Sequence, residues 1–152
     1  MDPAFRVASV DDADAHELLS EYFRMRVHGF DTEGGYRIVF PDPARFVEPA
    51  GVFLVAEAEG RAVGCGGIRM LDASRAEVKH LYLRDEVRGR GWGRLLLAEL
   101  EERARRLGAS ESVLDTNATL EAAGSLYRSS GYDEVEPYND NPNANLWFAK
   151  AL

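Results

Sequence analysis

Apolar and polar positions along the chain change their period several times, which predicts strands interleaved with helices. "FRVASV" alternates and predicts a short first strand, after which Asp11 or Asp12 can cap a helix over residues 12–30. Residues 29–50 hold three prolines and three glycines, so we expect a long loop with at most one short helix.

Three strands and an amphipathic helix are predicted next. Residues 51–60 and 61–71 form two apolar runs that meet at Glu59-Gly60, a sequence suited to a tight hairpin. Residues 76–83 supply the third strand, and the helix runs from about Gly91 to Leu107 before Gly108 ends it.

The rest of the chain predicts a strand at 111–116, a helix at 119–131 and strands at 132–138 and 145–152. The order β-α-loop-β-β-β-α-β-α-β-β predicts an α/β fold with a mixed sheet and helices on both faces. It disfavours a doubly wound dinucleotide fold. A length of 152 residues fits a single domain over 1–152.

Charge and composition exclude several classes of function. A net charge of −8 argues against nucleic-acid or anionic-membrane binding, because both need lysine and arginine to neutralise phosphates. We see no targeting signal, and the longest apolar runs are too short to span a bilayer, so a cytoplasmic protein is expected. Cys65 is the single cysteine, and His16, His28 and His80 lack metal-ligand spacing, so no metal is expected.

The stretch "RGRGWG" (residues 88–93) joins the third strand of this block to the amphipathic helix. A helix start exposes unpaired N–H groups, and glycines at 89, 91 and 93 let backbone approach an anion closely. A Gly-rich turn that merely connects two elements is the alternative. Neither the P-loop nor the dinucleotide fingerprint matches, since Arg94 stands where the latter needs glycine.

The pattern R-x-x-G-x-G at Arg88, Gly91 and Gly93 resembles the GNAT superfamily of acetyl-CoA-dependent N-acetyltransferases. Downstream, N-x(4)-A-x(3)-L-Y-x(3)-G-[FY] over 117–132 is similar to the family's next block, and the similarity covers about residues 51–135. The resemblance implies a GNAT-type, mostly antiparallel central sheet with helices on both faces. It also implies acetyl-CoA as co-substrate, without a metal.

The resemblance implies which residues hold the coenzyme. The glycine motif would bind the pyrophosphate mainly through backbone N–H groups, and the preceding strand would bond the pantetheine, with the Leu81 N–H as oxyanion donor. Asn117 would orient the pantetheine or a water, or else cap the helix after it. The implied coenzyme-binding residues are Leu81, Leu83, Arg88, Gly89, Arg90, Gly91, Gly93, Arg94 and Asn117.

Glu77 is the candidate general base that the resemblance implies. It precedes Arg88 by eleven residues, the spacing of the base in the histone-acetyltransferase branch of the family. A regular strand would put Glu77 on the same face as Leu81, towards the thioester. The alternatives are a water chain in place of a direct base, or a strand glutamate paired with Lys79 or Arg69.

Tyr127 is the candidate general acid. In the family the tyrosine of this pattern protonates the coenzyme sulfur, whereas the helical stripe with Leu120 and Ala123 also suits a core aromatic. Cys65 lacks a sequence-local base for covalent catalysis and is expected to be a buried small residue. His80 is expected to be packed or half-exposed, with at most a tuning role.

The acceptor site is expected at the irregular parts of the chain, with a small-molecule or peptide amine as partner. The candidate substrate residues are Tyr22, Arg26, Phe30, Tyr138 and Asn141. Arg24, Arg26 and Arg37 would suit an acceptor carboxylate, whereas the acidic net charge would suit a polyamine or an aminoglycoside, and both stay open.

We therefore predict an N-acetyltransferase that moves an acetyl group from acetyl-CoA to a primary amine by direct attack in a ternary complex. The alternative is a non-catalytic acyl-CoA-binding regulatory or interaction module on the same fold. A homodimer is compatible with the family.

Overall fold

The computed structural model describes residues 2–29 and 35–152. The strands are β1 (Ala4–Val7), β2 (Gly51–Ala58), β3 (Arg61–Met70), β4 (Arg75–Leu83), β5 (Glu111–Thr116), β6 (Asp133–Val135) and β7 (Leu146–Ala151). The helices are α1 (Ala13–Gly29), α2 (Trp92–Arg106) and α3 (Glu121–Ser129), and short 3-10 helices lie at Pro43–Phe46 and Asp85–Val87. The predicted order of the elements is confirmed.

The strands form one sheet in the order β1-β2-β3-β4-β5-β7-β6. Only β4 and β5 run parallel, and every other neighbouring pair is antiparallel. The prediction of a mixed, mostly antiparallel sheet is therefore confirmed. Within the two described ranges, no helix is both long and apolar enough to cross a membrane.

Helices cover both faces of the sheet, as predicted. Strand β2, which lies between β1 and β3, is buried on both sides, and its residues alternate between two apolar clusters. Val52 and Leu54 pack in the cluster that contains the apolar side of α2, whereas Phe53 and Val55 pack in the cluster that contains α1. This explains why "GVFLVA" reads as a continuous apolar run.

Local signals fix several of the element ends. The Asp12 carboxylate accepts hydrogen bonds from the backbone N–H groups of Asp14 and Ala15, so Asp12 caps α1. Glu59 and Gly60 both have positive φ, 52° and 76°, which is the backbone of a tight turn between antiparallel strands.

A β-bulge at His80 interrupts β4. Cys65 of β3 pairs with Tyr82 and Gly67 pairs with Lys79, so two residues of β4 lie opposite Gly66. His80 takes a left-handed conformation with a φ of 59°, which is uncommon for a residue other than glycine.

The bulge overturns one expectation from the sequence. Ala76, Val78 and Leu81 pack towards the α2 cluster, so the extra residue moves Leu81 to the face opposite Glu77. The expectation that Glu77 and Leu81 share a strand face was therefore wrong, because the strand is not regular between them.

The sheet opens where β4 and β5 separate. The parallel pairing joins only Arg75–Glu77 to Glu111–Val113, although β4 continues to Leu83 and β5 to Thr116. The other edge of β5 is occupied by β7 along its whole length. Beyond Glu77, no strand of the described residues pairs with β4 on the β5 side, and a cavity forms between the two strands.

Candidate active site

A cavity of about 1010 Å³ runs along β4 from the glycine loop to α1 and the chain after β6. This volume is at the upper end of the usual range for small-molecule sites, which are typically about 300–1,000 Å³. Of the sequence-predicted site residues, ten line it: Tyr22, Arg26, Leu81, Leu83, Arg88, Gly89, Gly91, Gly93, Tyr127 and Asn141.

The glycine loop forms one end of the cavity. Gly89 and Gly91 both have a φ of 79°, and Gly91 is the N-cap of α2, which has no side-chain cap. Val87 before the loop and Trp92 after it are buried together in one small cluster with Ala56 and Val63. The loop is therefore fixed on both sides, and the helix start, which has no side-chain cap, borders the cavity.

The arginines of the loop differ in their positions. Arg88 lines the cavity, and its Nε donates to the Leu83 carbonyl at 3.0 Å. Arg90 lies 5.2 Å over the Trp92 ring, and the Arg94 guanidinium donates to Ser129 at the end of α3. Neither of these two side chains lines the cavity. Any contact of Arg90 or Arg94 with a ligand there would be made by the backbone N–H group.

Tyr127 lies on α3 and lines the cavity beside the diverging strands. The residue is buried, and its ring contacts the rings of Tyr132 and Phe148, each at 6.0 Å. Burial raises the pKa of the Tyr127 phenol, so the hydroxyl keeps its proton throughout the neutral range. Tyr127 is thus both a packed aromatic residue and a protonated hydroxyl group at the cavity wall.

Glu77 lies behind the cavity wall. It is fully buried, and its carboxylate accepts a hydrogen bond from Arg69 Nε at 2.7 Å and another from the Tyr138 hydroxyl at 2.5 Å. Arg69 reaches the cavity, whereas Glu77 and Tyr138 do not line it. Burial and the Glu77 charge raise the pKa of Tyr138, which stays protonated as a donor. Glu77 is therefore held by two partners.

Asn117 shapes the turn before α3. Its Oδ1 accepts from the Thr119 backbone N–H at 3.0 Å and from the Thr119 hydroxyl at 2.9 Å. The side chain is buried and does not line the cavity. Of the two roles considered for Asn117, these contacts match the local, turn-forming one.

The acceptor end of the cavity brings α1 together with the asparagine-rich segment before β7. Tyr22 and Arg26 come from α1, and Asn141 from that segment, where its Oδ1 accepts from the Asn143 N–H at 3.0 Å. Phe30 lies outside the described residues. Three of the five predicted substrate residues are therefore brought to one place.

The sequence analysis missed an ion pair across the opening between the strands. Lys79 Nζ lies 3.4 Å from Asp115 Oδ1, and Asn139 Nδ2 donates to Asp115 Oδ2 at 2.7 Å. Burial alone would raise the pKa of Asp115, but Lys79, Asn139 and Asn141 hold it below its usual range. In the sequence, this ion pair is indicated only by a lysine and an aspartate at equivalent positions of two otherwise apolar strands.

His80 also lines this end of the cavity, through the ring that the bulge turns towards α1. It lies 5.5 Å from the rings of both Tyr22 and Phe23. Its Nδ1 is buried and has no hydrogen-bond partner in the described part of the chain. Burial, with the charges of Lys79 and Arg69, lowers the His80 pKa to about 3, so the imidazole is neutral. No group of three or more potential metal ligands occurs among residues 2–29 and 35–152.

Comparisons with known proteins agree with this architecture. The model of the acetyltransferase (GNAT) family matches residues 13–132. An uncharacterized N-acetyltransferase of Schizosaccharomyces pombe is 36% identical over 138 residues, which cover 84% of this chain and 85% of that protein.

Two solved structures have the same fold. A Klebsiella pneumoniae protein described as an acyl-CoA N-acyltransferase is 25% identical, with a TM-score of 0.80 over 99% of this chain and 97% of its own. The PaiA N-acetyltransferase of Thermoplasma acidophilum, solved with coenzyme A, is 19% identical, with a TM-score of 0.76 over 100% of both chains. Together with the family match and the S. pombe relative, these findings identify the chain as a member of the GNAT family of acetyltransferases.

Proposed function

We propose that this protein transfers the acetyl group of acetyl-CoA to the primary amine of a small molecule or peptide, by direct attack in a ternary complex. The observation that carries the proposal is one continuous cavity, which joins an uncapped helix start to a protonated tyrosine and then to a polar pocket. Direct transfer requires one site that holds both substrates side by side, and a continuous cavity of about 1010 Å³ supports that arrangement. The coenzyme A complex of the Thermoplasma acidophilum neighbour supports the choice of coenzyme.

The glycine loop is the proposed site for the coenzyme pyrophosphate. The N–H groups of residues 89–94 and the positive end of the α2 dipole supply the attraction, and Arg88 adds a charged side chain at the cavity. An added Cβ at Gly93 would lie 3.3 Å from a Leu126 methyl, which would have to shift by a few tenths of an ångström, and in ordinary contact with Leu83 at 3.6 Å. The free edge of β4 at Leu81 and Leu83 is the proposed partner of the pantetheine.

Tyr127 is the proposed general acid. As the amine nitrogen bonds to the acetyl carbon, the carbon–sulfur bond breaks and the departing thiolate takes the phenol proton. The ammonium of the acceptor gives up one proton to water before attack, and its nitrogen loses a second proton as the amide forms. That second proton, passed through water, restores the tyrosinate to the phenol. The Leu81 N–H is the proposed donor to the carbonyl oxygen as negative charge develops on it.

Glu77 stays a candidate base by resemblance, but its contacts support a different role. Its carboxylate is occupied by the Arg69 guanidinium and by the half-buried Tyr138 hydroxyl, and it lies behind Arg69 instead of on the cavity wall. We infer that Glu77 positions Arg69 and Tyr138 beneath the acceptor end. The acceptor ammonium then loses its proton to solvent or to a water molecule at the cavity wall.

An amine panel assayed for free thiol release from acetyl-CoA tests the function directly. We expect at least one primary amine to release thiol together with its N-acetyl product. Binding of acetyl-CoA without acetylation of any amine would instead support a regulatory acyl-CoA-binding module. Absence of acetyl-CoA binding at millimolar ligand would refute the coenzyme assignment itself.

Gly91→Ala should weaken acetyl-CoA binding about 10-fold in calorimetry, because a φ of 79° costs a side chain about 1–2 kcal/mol and the loop must shift. Gly108→Ala is the matched control, since Gly108 has a φ of 99° at the other end of the same helix, away from the cavity. Both variants should lose stability. Equal effects on acetyl-CoA binding would show that Gly91 is only a turn residue.

Tyr127→Phe should lower kcat by about 100-fold or more while acetyl-CoA affinity is unchanged, because the change removes only the proton donor. Since burial raises the Tyr127 pKa, the wild-type rate should not lose its acid group until above the ordinary tyrosine pKa of about 10. Tyr132→Phe is the control, because that hydroxyl bonds Ser112 and Glu101 away from the cavity. Unchanged turnover in Tyr127→Phe would remove Tyr127 from the mechanism.

Glu77→Gln should reduce the free energy of unfolding by about 1.5–3 kcal/mol, because Arg69 loses its charged hydrogen-bond partner. Glu86→Gln, which breaks the exposed pair with Arg61, should cost less than about 1 kcal/mol and serves as the control. The acidic limb of the pH profile of kcat/KM should remain in Glu77→Gln. Loss of that limb would instead identify Glu77 as the base.

A further inference from the structure

We propose that the acceptor amine carries a carboxylate and that Arg26 binds it. The inference rests on the proposed acetyl transfer and adds the substrate class. Its basis is a buried guanidinium at the acceptor end of the cavity that lacks a counter-ion. The two acceptor classes left open by the sequence, a carboxylate-bearing amine and a polyamine, are distinguished by where the charges lie.

Arg26 is only 7% exposed, yet its hydrogen-bond partners are neutral. Its two terminal nitrogens donate to the Tyr22 hydroxyl and to the Asn143 carbonyl, both at 3.3 Å. No carboxylate among residues 2–29 and 35–152 pairs with it. A guanidinium has five N–H donors, so further donors remain for a ligand.

A buried charge without a partner is costly, and proteins usually pair such a group. The other buried or half-buried cations at this end obey that rule, because Arg69 pairs with Glu77 and Lys79 pairs with Asp115. Arg26 differs from them in facing the cavity with its charge uncompensated. An anion on the ligand would complete the pattern.

Two aromatic rings keep the guanidinium in place. Its central carbon lies 4.9 Å from the Tyr36 ring and 5.9 Å from the Tyr22 ring, within the range of cation–π contacts. A planar guanidinium held in this way suits bidentate binding of a carboxylate. Arg37 and Arg45 also line the cavity, but both are exposed to solvent, so the buried Arg26 is the cation whose charge a carboxylate would balance.

The site lies close to the proposed reacting centre. The Arg26 guanidinium donates to the Tyr22 hydroxyl, and the Tyr22 ring lies 5.5 Å from the ring of His80, the residue before Leu81, whose N–H is the proposed oxyanion donor. A short acceptor, with its amine a few bonds from its carboxylate, therefore fits this end of the cavity.

A polycationic acceptor has no comparable site. Of the acidic side chains that the structure describes at this end, the buried Asp115 is paired with Lys79, whereas Asp42 is exposed to solvent and caps the 3-10 helix, accepting from the Ala44 N–H at 3.0 Å. The net charge of −8 thus belongs to other surfaces of the protein.

The test uses matched sets of amines: amino acids with amine and carboxylate a few bonds apart, their carboxamides, and the corresponding amines without the acid group. We expect the acids to show a kcat/KM about 10- to 100-fold above their carboxamides, the range typical of a charged hydrogen bond. Aminoalkyl phosphonates of equal length should be poorer acceptors than the carboxylates.

Arg26→Gln should abolish that preference by raising KM for the acids far more than for the carboxamides, because a carboxamide loses only a neutral hydrogen bond. Arg26→Lys should restore part of the preference for acids, because lysine brings back the positive charge without the planar guanidinium that binds a carboxylate through two hydrogen bonds. Arg24→Gln is the matched control, since Arg24 is exposed on the same helix, does not line the cavity and loses the same charge. Acetyl-CoA affinity and thermal unfolding of each variant confirm that the fold is intact.

The outcomes separate this inference from the proposed function. Turnover of carboxamides or phosphonates at the same or a higher kcat/KM than the acids would overturn the carboxylate assignment and leave acetyl transfer standing. If no amine releases thiol, acetyl transfer fails, and calorimetry with N-acetyl amino acids decides the anion site. Binding to the wild type but not to Arg26→Gln supports the site, and equal or absent binding overturns it.

Discussion

The separation of β4 from β5 is the constraint on which the rest of the site depends. Parallel pairing ends at Glu77 and Val113, and the bulge at His80 then bends β4 within its remaining antiparallel pairing to β3. This leaves main-chain groups of β4 free on one side, which a sheet tolerates only where something else bonds them. The cavity, the free strand edge and the ring of His80 at its wall all follow from this one departure from regular pairing.

Charges around the acceptor end are arranged in two layers. Behind the wall, Glu77 holds Arg69 and receives the hydroxyl of Tyr138, and across the opening Lys79 and Asp115 neutralise each other. Both pairs are complete within the protein. Among the buried and half-buried cations that the structure describes at this end, Arg26 alone has no carboxylate partner, and burial, with Lys79 and Arg69, lowers the pKa of the nearby His80 and keeps its imidazole neutral.

Much of the fold could be predicted from the sequence because its signals are local. The Glu59-Gly60 turn, the Asp12 cap and the glycines at both ends of α2 fix element boundaries, and apolar periods fix element types. The bulge could not be predicted, since "KHLYL" contains no glycine or proline and the extra residue is defined only by pairing with β3. That single extra residue reverses the face of the sheet to which each later side chain of β4 points. The Lys79–Asp115 pair and the isolation of Arg26 likewise depend on contacts between segments far apart in sequence.

The way the loop between Val87 and Trp92 is anchored reduces the conformational entropy that the loop loses when it binds a ligand. Both side chains are buried in a cluster of their own, so the four residues between them are already confined before any ligand arrives. Confinement of a flexible loop on binding would otherwise cost roughly 1–2 kcal/mol per residue in lost conformational freedom. Here the loop loses most of this conformational freedom when the protein folds. An anion therefore binds to a loop that already has its bound shape.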